Sequence, residues 1–168
     1  MKAELALLFS MPAAAAVHEA GHLLIMKLLK VSRRGGSIMP FGIGIYADFS
    51  GSSYRSELLC CLAGPMANLI LGLWLWFACG AHSEWWMTML AYGAFNMLPC
   101  GSLDGGRIVT LLLLISGVSA ERAARIASVF SFLCAFALWT AAVYRAVVCG
   151  EFLLFAAASY LLFESTGS

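Results

Sequence analysis

The most constraining feature of the sequence is a group of three polar residues, His18, Glu19 and His22, within the otherwise apolar segment Leu5–Leu29. Residues four positions apart lie on one face of an α-helix, so the two histidines can present imidazole nitrogens to the same metal ion. Glu19 lies beside that face. Each ionisable group at the centre of a bilayer costs on the order of 3 kcal/mol, so an apolar helix without a use for these groups is not expected to keep them. In a soluble protein the same spacing would equally suit an ordinary charged helix surface.

The composition indicates a membrane protein. Of the 168 residues, 62% are hydrophobic and 11% are charged, which leaves too few polar side chains to cover a soluble domain. The net charge of +1 gives no basis for binding nucleic acid. The six cysteines lack the C-x-x-C spacing of metal sites and are interpreted as small buried apolar residues. We expect an all-α polytopic membrane protein with about four to five transmembrane helices, formed by residues 1–168 as one domain.

Apolar segments alternate with short polar connections along the chain. They lie at about Leu5–Leu29, Leu58–Cys79, Trp85–Ile115, Ile126–Val148 and Phe152–Phe163. Basic residues flank the first and third connections, whereas Gly80–Trp86 contains neither Lys nor Arg. The positive-inside rule therefore predicts that the first connection is cytoplasmic and that the amino terminus is external. Because His18 precedes Lys27 by nine residues, the histidine pair is expected nearer the cytoplasmic face, roughly 13 Å below it.

The second apolar segment contains a face of small residues and one amide. Gly64, Asn68 and Gly72 recur at four-residue intervals, a pattern that lets another helix backbone approach closely. Two interpretations of Asn68 remain open. Its amide is hydrogen-bonded within the helix contact, or it points into a polar cavity where it binds substrate or an oxyanion.

The third apolar segment is interrupted by polar and helix-breaking residues between positions 96 and 107. Irregular backbone at membrane depth is expected only where protein or a water-filled cavity covers it, and a carboxylate at such a break is a functional candidate. We therefore predict that Asp104 is the third metal ligand, and that Asn96 is a second candidate for binding substrate or an oxyanion. The other carboxylates considered lie in or beside predicted connections: Asp48, Glu57 and Glu84.

The segment Ser37–Tyr54 interleaves apolar residues with glycines. This pattern predicts a short membrane-associated β-hairpin or looped sheet between the first two helices. Two roles are open for it. It can plug the cytoplasmic mouth of a cavity, or it can offer an unpaired strand edge to an unwound substrate segment.

Three motifs, in this order, resemble the site-2 protease family of intramembrane zinc metalloproteases. They are His18-Glu19-x-x-His22, Ala63-Gly64-Pro65-x-x-Asn68, and Asn96-x-x-Pro99 followed by Leu103-Asp104-Gly105-Gly106-Arg107. The stretch Met39-Pro40-Phe41-Gly42 is similar to the stage IV sporulation FB-type branch, whose members process a membrane-associated sigma-factor precursor. The resemblance covers nearly the whole chain. Ser102 departs from the family pattern, which usually has a second proline there.

The resemblance implies a zinc metalloendopeptidase in which His18, His22 and Asp104 bind one zinc ion per chain and Glu19 is the general base. It implies cleavage in or near the transmembrane segment of a membrane-tethered protein, such as a sigma-factor precursor or another transcription regulator, under control of a membrane partner. The expected location is a bacterial cytoplasmic membrane, crossed several times. Neither a PDZ nor a CBS domain is expected. The alternative is a proteolytically inactive zinc-binding membrane chaperone or a metal transporter.

Overall fold

The computed structural model describes residues 2–39, 42–49, 51–80, 84–150 and 152–167. In chain order its elements are α1 (Lys2–Leu28), β1 (Ser32–Met39), β2 (Gly42–Asp48), α2 (Tyr54–Cys79), α3 (Glu84–Asn96), α4 (Asp104–Ile115), α5 (Ala120–Cys149) and α6 (Phe152–Gly167). They divide into two compact units, Met1–Asn96 and Met97–Ser168. The first unit contains α1 to α3 and both strands, and the second contains α4 to α6. The single domain expected from the sequence remains a prediction.

Two helices, α2 with 26 residues and α5 with 30, have the length and apolar composition needed to cross a membrane. Only 33% of the apolar stretch of α2 and 17% of that of α5 is buried inside the protein. The core helix of a soluble protein would be mostly buried, whereas these helices turn most of their apolar side chains outward. The chain therefore fits a membrane protein, and the cytoplasmic orientation of its first connection remains a prediction.

The predicted fold class is wrong in its number of transmembrane helices. Six helices lie within the described residues, and two of them, rather than four to five, meet the length and composition of a membrane span. The interrupted segment Trp85–Ile115 accounts for part of the difference, because it forms α3 and α4, which have 13 and 12 residues. At 1.5 Å per residue such helices are too short to span the hydrocarbon core alone. In α1 the polar residues His18, Glu19 and His22 lower the mean hydropathy, and α1 is not one of the two helices that meet the composition of a membrane span.

The connection between α1 and α2 also differs from the prediction. β1 and β2 pair in antiparallel fashion, with Ser32 opposite Asp48 and Met39 opposite Gly42. The predicted hairpin or looped sheet covers Ser37–Tyr54, whereas the paired strands cover Ser32–Met39 and Gly42–Asp48. The strands therefore begin and end earlier in the chain than the pattern of apolar residues and glycines indicates. This backbone pairing does not place the strands at a membrane surface, so the membrane-associated hairpin of the predicted fold class is not supported.

The start of α2 follows from local chemistry. Ser53 precedes the helix, and its hydroxyl accepts a hydrogen bond from the backbone N–H of Ser56 at 3.2 Å. Glu57 places a negative charge in the first turn, where the helix dipole favours it. The helix ends before Gly80, whose φ of 69° lies in the left-handed region that glycine adopts without strain.

Candidate metal centre

The two histidines of the first motif present nitrogen atoms to one point. The Nε2 atoms of His18 and His22 lie 3.1 Å apart, and the rings are nearly perpendicular, with an interplanar angle of 82° and 4.7 Å between centroids. Two nitrogen ligands of a tetrahedral zinc ion, each about 2.0–2.1 Å from the metal, are about 3.3 Å apart. His18 is only 4% exposed. The pair therefore fits two ligands of a buried zinc ion.

A backbone carbonyl orients the His22 ring. Nδ1 of His22 lies 2.7 Å from the carbonyl oxygen of Cys60 on α2. Because a carbonyl only accepts, Nδ1 is the donor and carries the hydrogen, so in the neutral imidazole the lone pair is on Nε2. Metal-binding histidines commonly donate their other ring N–H to a carbonyl or carboxylate in this way. The same lone pair can accept a hydrogen from Nε2 of His18 when no metal is bound, so the 3.1 Å separation suits both states.

Glycines permit the close approach of α1 and α2 at this point. A Cβ atom at Gly64 would lie 2.2 Å from Nε2 of His22, and a Cβ atom at Gly21 would lie 2.5 Å from the carbonyl oxygen of Ala63. Real Cβ atoms do not approach other atoms so closely, because interiors are already packed to contact. The small-residue face of α2 therefore receives α1, and this packing brings the His22 ring to the Cys60 carbonyl.

Asn68 is completely buried in the first unit. Its Nδ2 donates to the carbonyl oxygen of Ala14 at 3.0 Å, one helical turn before His18 on α1. Its Oδ1 has no hydrogen-bond partner among the residues that the structure describes. This contact is of the kind expected for an amide in a helix contact, and the role of Asn68 toward substrate or an oxyanion remains a prediction.

Asn96 is the last residue of α3, and its Nδ2 donates to the carbonyl oxygen of Tyr92 at 2.9 Å. Tyr92 lies four residues before Asn96, so the Asn96 side chain folds back onto the last turn of its own helix. An amide nitrogen has two hydrogens, and one is used here. The predicted role of Asn96 as a donor to substrate or an oxyanion is therefore not tested by this contact.

Sequence reasoning did not identify Tyr92. Its ring lies beside that of His18, with 5.4 Å between centroids and an interplanar angle of 76°. Near-perpendicular contacts at this separation are favourable for aromatic rings, because the positive edge of one ring meets the negative face of the other. One signal was available: Tyr92 precedes Asn96 by four residues and so lies on the same face of its helix.

Asp104, the predicted third ligand, is the first residue of α4 in the second unit. A carboxylate in the first turn is stabilised by the helix dipole. The two following glycines allow the preceding turn to pack on the helix: a Cβ atom at Gly105 would lie 2.2 Å from the carbonyl oxygen of Leu98, and one at Gly106 would lie 2.3 Å from that of Cys100. The residues after Asp104 thus have a packing role of their own.

The remaining acidic candidates occupy other parts of the fold. Glu19 follows His18 on α1 and is half-buried. Asp48 ends β2, Glu57 lies in the first turn of α2, and Glu84 begins α3. Each of these last three lies at the end of an element, as the sequence predicted for residues in or beside connections.

No family model matches the sequence, and no curated protein matches it. Among solved structures, a site-2 protease from Methanocaldococcus jannaschii is similar, with a TM-score of 0.72 and 20% sequence identity over 96% of this chain and 76% of that chain. This similarity shows that the chain has the fold of a site-2 protease. It does not support the narrower resemblance to the sporulation branch. That resemblance rested on Met39-Pro40-Phe41-Gly42, of which Pro40 and Phe41 lie outside the described residues.

The contact between Gly64 and His22 predicts the effect of a single methyl group. Gly64→Ala should displace the imidazole and weaken zinc binding about 10-fold or more, as expected when the support of a ligand is lost. Gly72→Ala is the matched control in the same helix, because its Cβ would meet Leu90 at 2.7 Å and the carbonyl oxygen of Trp86 at 3.1 Å rather than a histidine. Zinc affinity of the purified variants, measured by competition with a chelator, tests the prediction. Equal affinity in the two variants would contradict it.

Substitutions of Tyr92 should have graded effects on zinc affinity, measured in the same way. Tyr92→Phe keeps the ring beside His18 and should leave zinc affinity unchanged. Tyr92→Leu removes the ring contact and should weaken binding about 2- to 10-fold, the range expected for one aromatic pair. If Tyr92→Phe weakens binding as much as Tyr92→Leu does, the hydroxyl rather than the ring is responsible.

Proposed function

We propose that this protein is an intramembrane zinc metalloendopeptidase that cleaves a peptide bond in or near the transmembrane segment of a membrane-tethered protein. The observation that carries the proposal is the pair of imidazole nitrogens of His18 and His22, 3.1 Å apart and partly oriented by the Cys60 carbonyl. The site-2 protease fold and the two outward-facing apolar helices support it.

The ligands proposed for one zinc ion per chain are His18, His22 and Asp104. Two imidazoles and one carboxylate form a donor set used by catalytic zinc sites, in which the fourth position stays open to substrate or water. With Glu19 nearby, two carboxylates balance the two positive charges of the ion, which limits the cost of burying these groups in an apolar protein. When bound, the ion would polarise a substrate carbonyl and lower the pKa of water.

Glu19 is proposed as the general base. Its side chain begins beside the histidine face of α1, where a carboxylate oxygen can accept a proton from water and later return it to the leaving nitrogen. The carboxylate does not need to bind the metal for this role. Asn68 and Asn96 remain candidates for donating their second amide hydrogen to substrate or an oxyanion.

The substrate must expose its backbone before it can be cut. In a transmembrane helix each carbonyl is hydrogen-bonded within the helix, because the hydrocarbon offers no other partner. We propose that the substrate class is a membrane-tethered regulator, such as a sigma-factor precursor, whose helix is locally weakened. The proposed setting is a multi-pass protein of a bacterial cytoplasmic membrane, with the site nearer the cytoplasmic face and a membrane protein as regulatory partner.

Glu19→Gln separates catalysis from metal binding. The amide cannot accept a proton from water, while both imidazoles remain, so we expect cleavage to fall on the order of 100-fold or more with zinc content unchanged. Glu121→Gln, at an exposed glutamate paired with Arg125, is the control and should retain activity. The assay is co-expression with candidate membrane-tethered regulators, with metal content measured in parallel. Cleavage by Glu19→Gln at the wild-type rate would refute this role.

Asp104→Ala removes a proposed ligand, so zinc occupancy and cleavage should fall together. Asp48→Ala, Glu57→Ala and Glu84→Ala should each keep a full zinc equivalent. Metal analysis of the purified variants distinguishes these outcomes. A full equivalent in Asp104→Ala, with a loss in one of the other three, would reassign the third ligand. A wild-type protein that binds zinc and cleaves none of the regulators would favour the chaperone or transporter alternative.

A further inference from the structure

The turn that leads into α4 is bonded to α5 within the second unit. The backbone N–H of Gly101 donates to Oγ of Ser131 at 2.8 Å. Ser131 is 4% exposed and lies in an apolar helix of 30 residues. Gly101 itself is exposed, whereas a buried hydroxyl without a partner costs about 1–3 kcal/mol, so the bond supplies the Ser131 hydroxyl with a partner.

The rest of the turn is held by short backbone bonds that end at the start of α4. Cys100 N–H donates to Leu98 O at 2.7 Å, Leu103 N–H to Cys100 O at 2.9 Å, and Gly106 N–H to Leu103 O at 3.1 Å. Gly101 differs from these residues because a side chain of α5 accepts its N–H. The turn is therefore fastened to α5 three residues before Asp104.

A second contact involves the same face of α5. The thiol of the buried Cys100 interacts with that of Cys134, which lies three residues after Ser131 and so on one side of the helix with it. Cys100 also carries the carbonyl against which Gly106 packs. A shift of residues 100 and 101 would therefore move the first turn of α4, which includes Asp104.

The sequence of the turn gives it little stiffness of its own. Proline fixes φ at position 99, but Gly101 and Ser102 have no such restraint. A metal ligand has to be held within about 0.5 Å of its productive position. The restraint on this turn must come from packing and hydrogen bonds, and the bond to α5 is placed where the chain is otherwise least restrained.

We propose that Ser131 is a positioning residue for Asp104: its hydroxyl fixes the turn at residues 97–103 and thereby the direction of the Asp104 carboxylate. The proposal rests on the proposed function of Asp104 as a zinc ligand. Ser131 acts through the backbone and does not bind metal or substrate. If the bond only stabilised the second unit, as any buried hydrogen bond would, Ser131→Ala would lower the melting temperature without weakening zinc binding.

The test compares Ser131→Ala, Ser131→Thr and Ser159→Ala in the full chain, purified in detergent. Ser159 accepts a hydrogen bond from Nε1 of Trp139 at 3.2 Å, so Ser159→Ala removes a side-chain bond between α5 and α6 away from the turn. We expect Ser131→Ala to raise the dissociation constant for zinc about 10-fold and to speed amide hydrogen exchange at residues 97–103. Ser131→Thr keeps the hydroxyl and should restore both values. Ser159→Ala should change neither, whatever it does to the melting temperature.

Equal zinc affinity in Ser131→Ala and Ser159→Ala would overturn the proposal, and so would weakened zinc binding in Ser131→Ala without faster exchange of the turn. Both results would leave the proposed function intact. Asp104→Ala, measured in parallel, distinguishes failure of the proposed ligand set from failure of the positioning role alone. If it retains full zinc affinity, the proposed ligand set fails, and the positioning role of Ser131 fails with it.

Discussion

The close approach of α1 and α2 is the contact on which the candidate metal centre depends. It requires the absence of side chains at Gly21 and Gly64, and it brings Nδ1 of His22 within 2.7 Å of the Cys60 carbonyl. That bond sets the tautomer and the plane of the ring, so the lone pair of Nε2 is available for a metal. Small residues in α2 thus have a chemical consequence beyond packing, because a bulkier helix face would leave the imidazole without its orienting acceptor.

Several buried polar side chains in this apolar chain are bonded across helices or to backbone. The amide of Asn68 reaches a carbonyl of α1, the hydroxyl of Ser131 accepts from Gly101, and Ser10 bonds Thr88 at 3.1 Å. In a low-dielectric interior an unpaired polar group is costly, so such bonds fix the relative positions of the elements that carry them. These bonds join α1 to α2 and α3 in the first unit, and the turn before α4 to α5 in the second.

The proposed ligands come from both units of the chain, with His18 and His22 in the first and Asp104 in the second. Within each unit, local contacts hold the candidate ligands that it contains. In the first, α2 and α3 surround the histidines with a carbonyl acceptor and the ring of Tyr92. In the second, a glycine pair and a bond from α5 define the turn before Asp104.

The sequence by itself determined the histidine pair, the apolar character and the interrupted segment around Asp104, because these follow from residues close together in the chain: a spacing of four, a run of apolar residues, a cluster of glycines and a proline. It misjudged the number of membrane spans, because hydropathy measures how apolar a segment is and gives neither the length of each helix nor its burial. Only the tertiary structure decided what Gly64, Tyr92 and Ser131 contact. Those contacts join residues far apart in the chain, and no local periodicity encodes which distant backbone or ring will meet a given side chain.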